Sequence, residues 1–379
     1  MPSIDDTITT TTHGDPAFIP GVQLCELFYQ EAVKPILATA FPSLRYSAAL
    51  IGAGSDVLGY DTVRSTDHDW GPRLILFVTQ VDYEDSATRI HDVLRERLPR
   101  LFRGYSVHFG TPDAQGIRVA ALSETGLVEH KVEVSTPERF CRERLGVDPR
   151  GGLSLQDWLM LSQQKLLEFT AGRVFHDGLG ALGEIRDQLA YYPRDVWLYL
   201  LAAQWQRISQ QEAFVGRTGE VGDELGSQLV AGTLVRDLMR LCFLMERRYA
   251  PYSKWFGTAF SRLDTALALT PSLQGALRAV TWQERERHLC NAYEAVAHLH
   301  NGLGITEPLA ERVSPFHGRP FQVIHGGHFV TAIINVIEDQ AVRDLVTRVG
   351  VIGSIDQISD NVDVVSYPEH VVKLRALYA

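Results

Sequence analysis

Between residues 21 and 41 the apolar side chains Leu24, Leu27, Phe28, Ala32, Ile36 and Leu37 recur three and four positions apart, the repeat of a helix that buries one face. Pro35 falls inside that repeat and predicts a kink, because proline has no N–H to give the preceding turn. The pattern then changes to short apolar runs. Residues 47–51 and 73–78 (Arg-Leu-Ile-Leu-Phe-Val) read as buried strands; the first ends in Gly52, Ala53, Gly54 and Ser55, a tight turn leading into a short helix. Residues 82–98 return to the helical repeat, with Ile90, Val93, Leu94 and Leu98 on one face. Residues 105–109, 117–122 and 127–134 are shorter strand candidates, and 172–176 reads as one more at the edge of the same sheet.

After about residue 183 the strand signal stops. Residues 195–210, 226–249, 256–269, 282–303 and 329–345 all carry helical repeats of a length that suits a bundle. The expected fold class is therefore α+β: a small mixed sheet in a domain at 19–183, then an all-α helical domain at 184–379, with a polar tail at 1–18. The 379 residues, 45% of them hydrophobic, suffice for two cores. The Thr- and Asp-rich start lacks the basic and apolar regions of a signal peptide, and no apolar run approaches the roughly 20 residues that span a bilayer. A soluble, cytoplasmic protein with no membrane partner is expected.

Charge and cysteine content narrow the chemistry. Cys25, Cys141, Cys242 and Cys290 are far apart and form no C-x-x-C pair, which suits buried reduced thiols and argues against structural zinc. A net charge of -10 without a basic run disfavours a nucleic-acid partner, since phosphate backbones are bound by positive footprints. An acidic surface suits a small cationic acceptor better.

The informative stretch is Leu50-Ile51-Gly52-Ala53-Gly54-Ser55 followed by Ser65-Thr66-Asp67-His68-Asp69-Trp70. Gly54 and Ser55 stand where a strand turns, so their backbone N–H groups can face a phosphate. Asp67 and Asp69, read as the start of the next strand, point to one side, because alternate strand residues share a face. Two carboxylates at one point suit Mg2+ (or Mn2+) carried by a nucleoside triphosphate. Glu133, between Val132 and Val134, is the candidate third carboxylate, as metal ligand or as general base for a hydroxyl; Glu129 is the runner-up.

These residues resemble the signature of the polymerase β type nucleotidyltransferase superfamily, and the Gly54-Ser55 to Asp67 spacing is similar to that of its aminoglycoside (kanamycin) nucleotidyltransferases. The resemblance covers roughly residues 45–180. It implies metal binding by Asp67 and Asp69, triphosphate binding by Gly54 and Ser55, and a base or ligand role for Glu133. His68 departs from the acidic or apolar residue common between the two aspartates. The remainder of the chain resembles an uncharacterised helical family often found after such domains, on Tyr192-Pro193-Arg194-Asp195-Val196-Trp197, Phe214-Val215-Gly216-Arg217 and Pro251-Tyr252-Ser253-Lys254-Trp255, with likeness reaching almost to the C-terminus. Lys254 stands where the superfamily recurrently sends a second-domain lysine to the triphosphate; the plainer reading is a solvated lysine beside a packed tryptophan.

Plainer readings hold elsewhere. Gly52-Ala53-Gly54 fails the dinucleotide fingerprint at Val57, and no Gly-x-Ser-x-Gly elbow supports serine hydrolysis. Ser65 and Thr66 read as turn residues. Arg217, Glu220 and Asp223 read as an acceptor-lining turn or as helix caps, and Arg236 and Arg240, four apart on one helix face, as phosphate binders or, the plainer reading, as partners of Asp237 and Glu246. His298, His300, His325 and His328 make poor metal sets. The expected activity is Mg-dependent transfer of NMP, preferably AMP, from ATP or another NTP to a hydroxyl of a small molecule. AMPylation of protein, RNA-end modification and a catalytically silent nucleotide-binding module are the alternatives.

Overall fold

The structure is a computed structural model and describes residues 17–67, 69–113, 118–121, 125–367, 369 and 373–378. The chain forms two compact units. One takes the chain up to Phe140 together with Glu168–Arg186; the other takes Cys141–Leu167 and everything from Asp187 onward.

The first unit is built on a four-stranded sheet: β1 (Tyr46–Leu50) and β2 (Arg73–Val78) are followed by a small hairpin, β3 (Leu101–Phe102) with β4 (Tyr105–Ser106), then β5 (Lys131–Ser135) and β6 (Arg173–Asp177). Its strand order is β5-β2-β1-β6, with β1 antiparallel to both neighbours and β2 parallel to β5. The sheet is therefore mixed, and β6 lies on its edge as expected. One face packs under α1 (Gly21–Phe28), α2 (Lys34–Ala40) and α3 (Gln80–Arg97), where Leu24, Phe28, Val33, Leu37, Ile90 and Leu94 meet Ala48, Leu74, Leu76, Val78 and Val132. Each fully buried aliphatic side chain contributes about 1.5–3 kcal/mol.

The kink expected at Pro35 takes the form of a π turn at Tyr29–Val33, directly before α2. The wider turn relieves the clash between the proline ring and the carbonyl four residues back. Residues 55–59 are turns, closed by Leu58 N to Gly54 O at 3.2 Å and Tyr60 N to Ser55 O at 2.8 Å, where a short helix was expected. Of the expected strands at 105–109 and 117–122, the described residues keep β4 and a single bridge between Phe109 and Ala120; residues 117 and 122 lie outside the described set.

Helices α4 (Pro137–Leu145), α5 (Leu155–Met160), α6 (Gln163–Thr170) and α7 (Ala181–Gln188) follow β5 and flank β6 in the chain. The second unit centres on α8 (Arg194–Gln211), buried on every side from Val196 to Trp205. α10 (Glu224–Met245) packs against it, and α9 (Phe214–Glu220), α11 (Ser253–Phe260), α12 (Ala266–Arg278) and α13 (Trp282–Gly302) belong to the same unit. A hairpin of β7 (Ser314–Pro315) and β8 (Gln322–Val323) precedes α14 (Gly326–Asn335), α15 (Gln340–Val349), α16 (Ile355–Ile358) and α17 (Val362–Ser366). That hairpin departs from the all-α expectation. Trp205 of α8 stacks on Phe329 of α14 with ring centroids 4.1 Å apart.

Two expected helices are broken. The stretch 256–269 divides into the end of α11 and the start of α12, and 329–345 divides into α14 and α15. Asp223 caps α10 through Gly226 N at 2.8 Å. Arg236 pairs with Asp360 rather than with Asp237, which pairs with Arg207 at 3.1 Å. His300 is buried against Trp205, and His298 pairs with exposed Glu311. No helix is long and apolar enough to cross a membrane among the described residues. The four cysteines are free thiols, three buried and Cys290 half-buried.

Candidate active site

Strand directions bring the sequence-predicted residues to one end of the sheet in the first unit. The register pairs Leu50, the last residue of β1, with Arg173, the first of β6, and Arg73, the first of β2, with Lys131, the first of β5. The C-terminal end of β1 therefore meets the starts of β2, β5 and β6. Side chains alternate along a strand. Leu74, Leu76 and Val132 face the helices, so Arg73, Ile75, Lys131 and Glu133 share the opposite face.

The glycine loop leaves β1 at this end. Gly52 and Gly54 hold φ of +102° and +144°, values L side chains rarely adopt. A Cβ on Gly54 would fall 2.3 Å from Asp56 Oδ1 and 2.7 Å from Arg73 Nη2. Those two groups form the loop's anchor: Arg73 Nη2 donates to Asp56 Oδ1 and Oδ2 at 2.8 and 2.9 Å, and Asp56 Oδ1 accepts Val57 N at 3.0 Å. The amides of Gly54 and Ser55 take no acceptor among the described residues. They are spare donors, as a phosphate requires.

The two aspartates are not the head of a strand. Asp67 ends a 3-10 turn at Val63–Asp67, and β2 begins only at Arg73. The orientation of the Asp67 side chain, like His68, lies outside the described set. Asp69 adopts φ +50°, a left-handed conformation that aspartate tolerates. The turn lets Trp70 bury its ring, with its indole N–H on Asp61 Oδ2 at 3.0 Å, before the chain enters β2. Ser65 and Thr66 are turn residues as expected: Ser65 Oγ accepts Thr62 N at 3.0 Å, and Thr66 Oγ1 donates to Val63 O at 2.9 Å.

Asp69 is held from both sides. Its N–H donates to Arg118 O at 3.0 Å, Arg118 N donates to its Oδ1 at 3.3 Å, and Lys131 Nζ donates to the same Oδ1. Burial opposes the Asp69 charge, but Lys131, the Arg118 amide and Arg73 outweigh it and hold the carboxyl below its usual range. Burial also lowers Lys131, against the support of Asp69. The Lys131 ammonium stands 5.2 Å from the centroid of the Phe109 ring. Lys131 and Glu133 are alternate residues of one strand, about 7 Å apart. Asp69 is thereby tied to the face that carries Glu133.

Glu133 is half-buried and opposite Ile75. Glu129, the runner-up, precedes β5 and pairs with Arg95 of α3, which holds its carboxyl below the usual range. Its engagement with a helix of the core face sets it apart from Glu133. Lys254 belongs to the second unit, in the first turn of α11, with its ammonium 5.1 Å from the Trp255 ring centroid.

A divalent ion such as magnesium takes hard carboxylate oxygens. Both hydrogen bonds to Asp69 fall on Oδ1, so Oδ2 has no hydrogen-bond partner among the described residues. That chemistry fits a hard cation, although no group of three or more His, Cys, Asp or Glu gathers as a metal cage among the described residues. Asp56, Arg73, Lys131 and Arg118 were not singled out in the sequence. Arg73 opening an apolar strand, and Lys131 two before Glu133 in an alternating run, were the available signals.

Residues 158–256 match the model of a family described as Domain of unknown function (DUF4037). The match contains the stretches around Tyr192, Phe214 and Pro251 and ends at Phe256, short of the C-terminus. No curated protein matches the chain.

Proposed function

We propose that the chain is a nucleotidyltransferase that moves NMP, preferably AMP from ATP, to a hydroxyl of a small molecule and releases pyrophosphate. The observation that carries this reading is the convergence, at one end of a mixed sheet, of a positive-φ glycine loop whose amides take no acceptor among the described residues, Asp69 with one carboxylate oxygen likewise uncommitted among them, and the face bearing Glu133. The neighbouring matched family, whose description assigns no function, leaves the acceptor open.

In this mechanism the Gly54 and Ser55 amides bind the β- and γ-phosphates. Asp67 and Asp69 would hold magnesium, which when bound supplies positive charge to the triphosphate oxygens. Lys131 and Arg73 add fixed positive charge on the same face. Glu133 accepts the proton of the acceptor hydroxyl as its oxygen forms a bond to the α-phosphorus. The bond from the α-phosphorus to the bridging oxygen breaks, and pyrophosphate leaves with that electron pair. Lys254 is assigned to the triphosphate on the resemblance alone.

Pyrophosphate release is to be measured across the four nucleoside triphosphates and a panel of hydroxylated metabolites, with magnesium or with EDTA. Release that requires metal, and that the folded Asp67→Asn/Asp69→Asn double variant loses, is expected. Undiminished turnover by that double variant would falsify the mechanism. Nothing in the structure favours RNA or protein as the acceptor over a small molecule.

A further inference from the structure

The second unit contains a cavity with several charged groups in its walls that the reading above does not use. It has a volume of about 110 Å³, and its walls include Arg236 and Arg240 of α10, Gln163 of α6, Ser253 of α11 and Asp356 of α16. A space of that size admits roughly three or four waters or one small anion.

Several hydrogen-bond donors around it take no acceptor among the described residues. Arg236 and Arg240 are one turn apart on one helix and line the same space. Arg236 gives Nη1 to Asp360, but its Nε is buried with no acceptor among the described residues. Arg240 gives Nη1 to the Asp356 carbonyl; its other N–H groups take no acceptor among the described residues. Gln163 is 7% exposed, and its Oε1 accepts Ala250 N at 2.7 Å. The Gln163 Nε2 has no partner among the described residues. A buried donor without an acceptor calls for an explanation.

The start of α11 adds a second, independent feature. Its N-cap residue Tyr252 makes no side-chain cap, and the amides of Ser253 and Lys254 take no acceptor among the described residues. Uncapped helix N-termini attract anions. Two acids, Asp356 and Asp360, also line the cavity. Asp360 is exposed and pairs with Nη1 of Arg236. Asp356 is pushed by burial up to about 6, against Gln163 N and Arg240, so it is a weakly held anion.

We propose that this cavity is an oxyanion site that takes the phosphate group of a small phosphate monoester. The phosphate oxygens receive the free N–H groups of Arg240, Gln163 Nε2 and the first amides of α11, with Arg236 adding positive charge beside them. Asp360 competes for Arg236 and yields when the ligand enters. The proposal is independent of the nucleotidyltransferase reading.

The test is calorimetry and thermal melting of the full chain in EDTA, with glycerol 3-phosphate, inorganic phosphate and acetate as probes at matched ionic strength. Glycerol 3-phosphate and inorganic phosphate are expected to bind with one site and to raise Tm, and acetate to do neither. Arg240→Gln is expected to weaken binding at least tenfold, Arg236→Gln severalfold, and Asp360→Asn to tighten it. Asp69→Asn is expected to leave it unchanged, which separates this site from the candidate active site. If Arg240→Gln does not fold, Arg240→Lys keeps the charge but loses the two-pronged donation, and severalfold weaker binding is expected. A response no larger than that to sodium chloride overturns the proposal. So does equal binding of acetate, binding that survives the arginine substitutions, or binding lost in Asp69→Asn.

Discussion

Arg73 donates one guanidinium nitrogen to both carboxylate oxygens of Asp56, at 2.8 and 2.9 Å, where the Asp56 side chain is only 3% exposed. Removing one partner of a buried pair leaves an uncompensated charge, whereas replacing both by apolar groups is often neutral. Asp56→Ala is therefore expected to cost about 3–5 kcal/mol in urea unfolding, and Asp56→Ala/Arg73→Met to recover most of that loss. Equal losses in the single and double variants would show that the pair anchors nothing.

The same anchor constrains Gly54. An added methyl meets Asp56 and Arg73 at distances no real Cβ keeps, on a backbone with φ +144°. Gly54→Ala is expected to destabilise the first unit by more than 1 kcal/mol, roughly the cost of a strained conformation. It is also expected to weaken nucleotide binding by about tenfold, a factor equal to 1.4 kcal/mol. Gly59→Ala is the control: it too has a positive φ, but nothing lies near its added methyl. Calorimetric titration with ATP compares the two, and matching affinities would remove the loop from the nucleotide site.

Lys131 shares the Asp69 carboxylate that a cation would use. Lys131→Met removes a positive charge beside that oxygen, so Mn2+ without nucleotide is expected to bind a few-fold more tightly, and ATP a few-fold more weakly. The gain is small because both side chains are partly solvated and the pair is screened. Paramagnetic titration reads the metal directly. Weaker Mn2+ binding in the variant would assign Lys131 to supporting the carboxylate rather than competing for it.

His130 is 3% exposed, and burial lowers it to about 4 despite its bond to the His91 carbonyl. Its folded value lies below the unfolded one, so the unfolded chain binds more protons between pH 6.5 and 4. Stability from this group is complete above pH 6.5 and is lost as pH falls toward 4, by about 3 kcal/mol. Urea midpoints at pH 7 and pH 5 are expected to fall further apart in the wild type than in His130→Gln. Parallel pH profiles would place the titration elsewhere.

Strands β1, β2 and β6 and helices α3, α8 and α13 were legible because their apolar periods begin and end with local signals, such as Thr79 and Thr281 capping α3 and α13. The two missed breaks have another origin. Phe260, Leu263, Ala266 and Leu269 stay buried through the first break, and Ile333, Ile337, Val342 and Leu345 through the second, so the apolar pattern does not register either interruption. The helices that follow take part of their capping from elsewhere in the chain, although α15 also has a local cap, Asp339, whose Oδ1 accepts Val342 N at 3.1 Å. Glu246 accepts Asp264 N and Thr265 N at 3.0 and 2.9 Å, and Asp195 accepts Glu338 N at 2.6 Å. The same limit applied at the site. Asp69, Gly54 and Glu133 stand out as residue types, but that Lys131 and Arg118 hold Asp69 follows only from the tertiary fold, Lys131 through strand register and Arg118 through backbone contacts of a loop.

The edge strand β6 sets an order of events during synthesis. Ser47, Ala48, Ala49 and Leu50 pair with residues that emerge more than a hundred positions later, after the whole of Cys141–Leu167, which groups with the other unit. Until then β1 has an unprotected edge, an invitation to pairing with other nascent chains. No single cut in the polypeptide separates the two units. A fragment ending at Phe140 lacks its last strand, and one extended through Arg186 carries a stretch of its neighbour's chain with nothing to fold against.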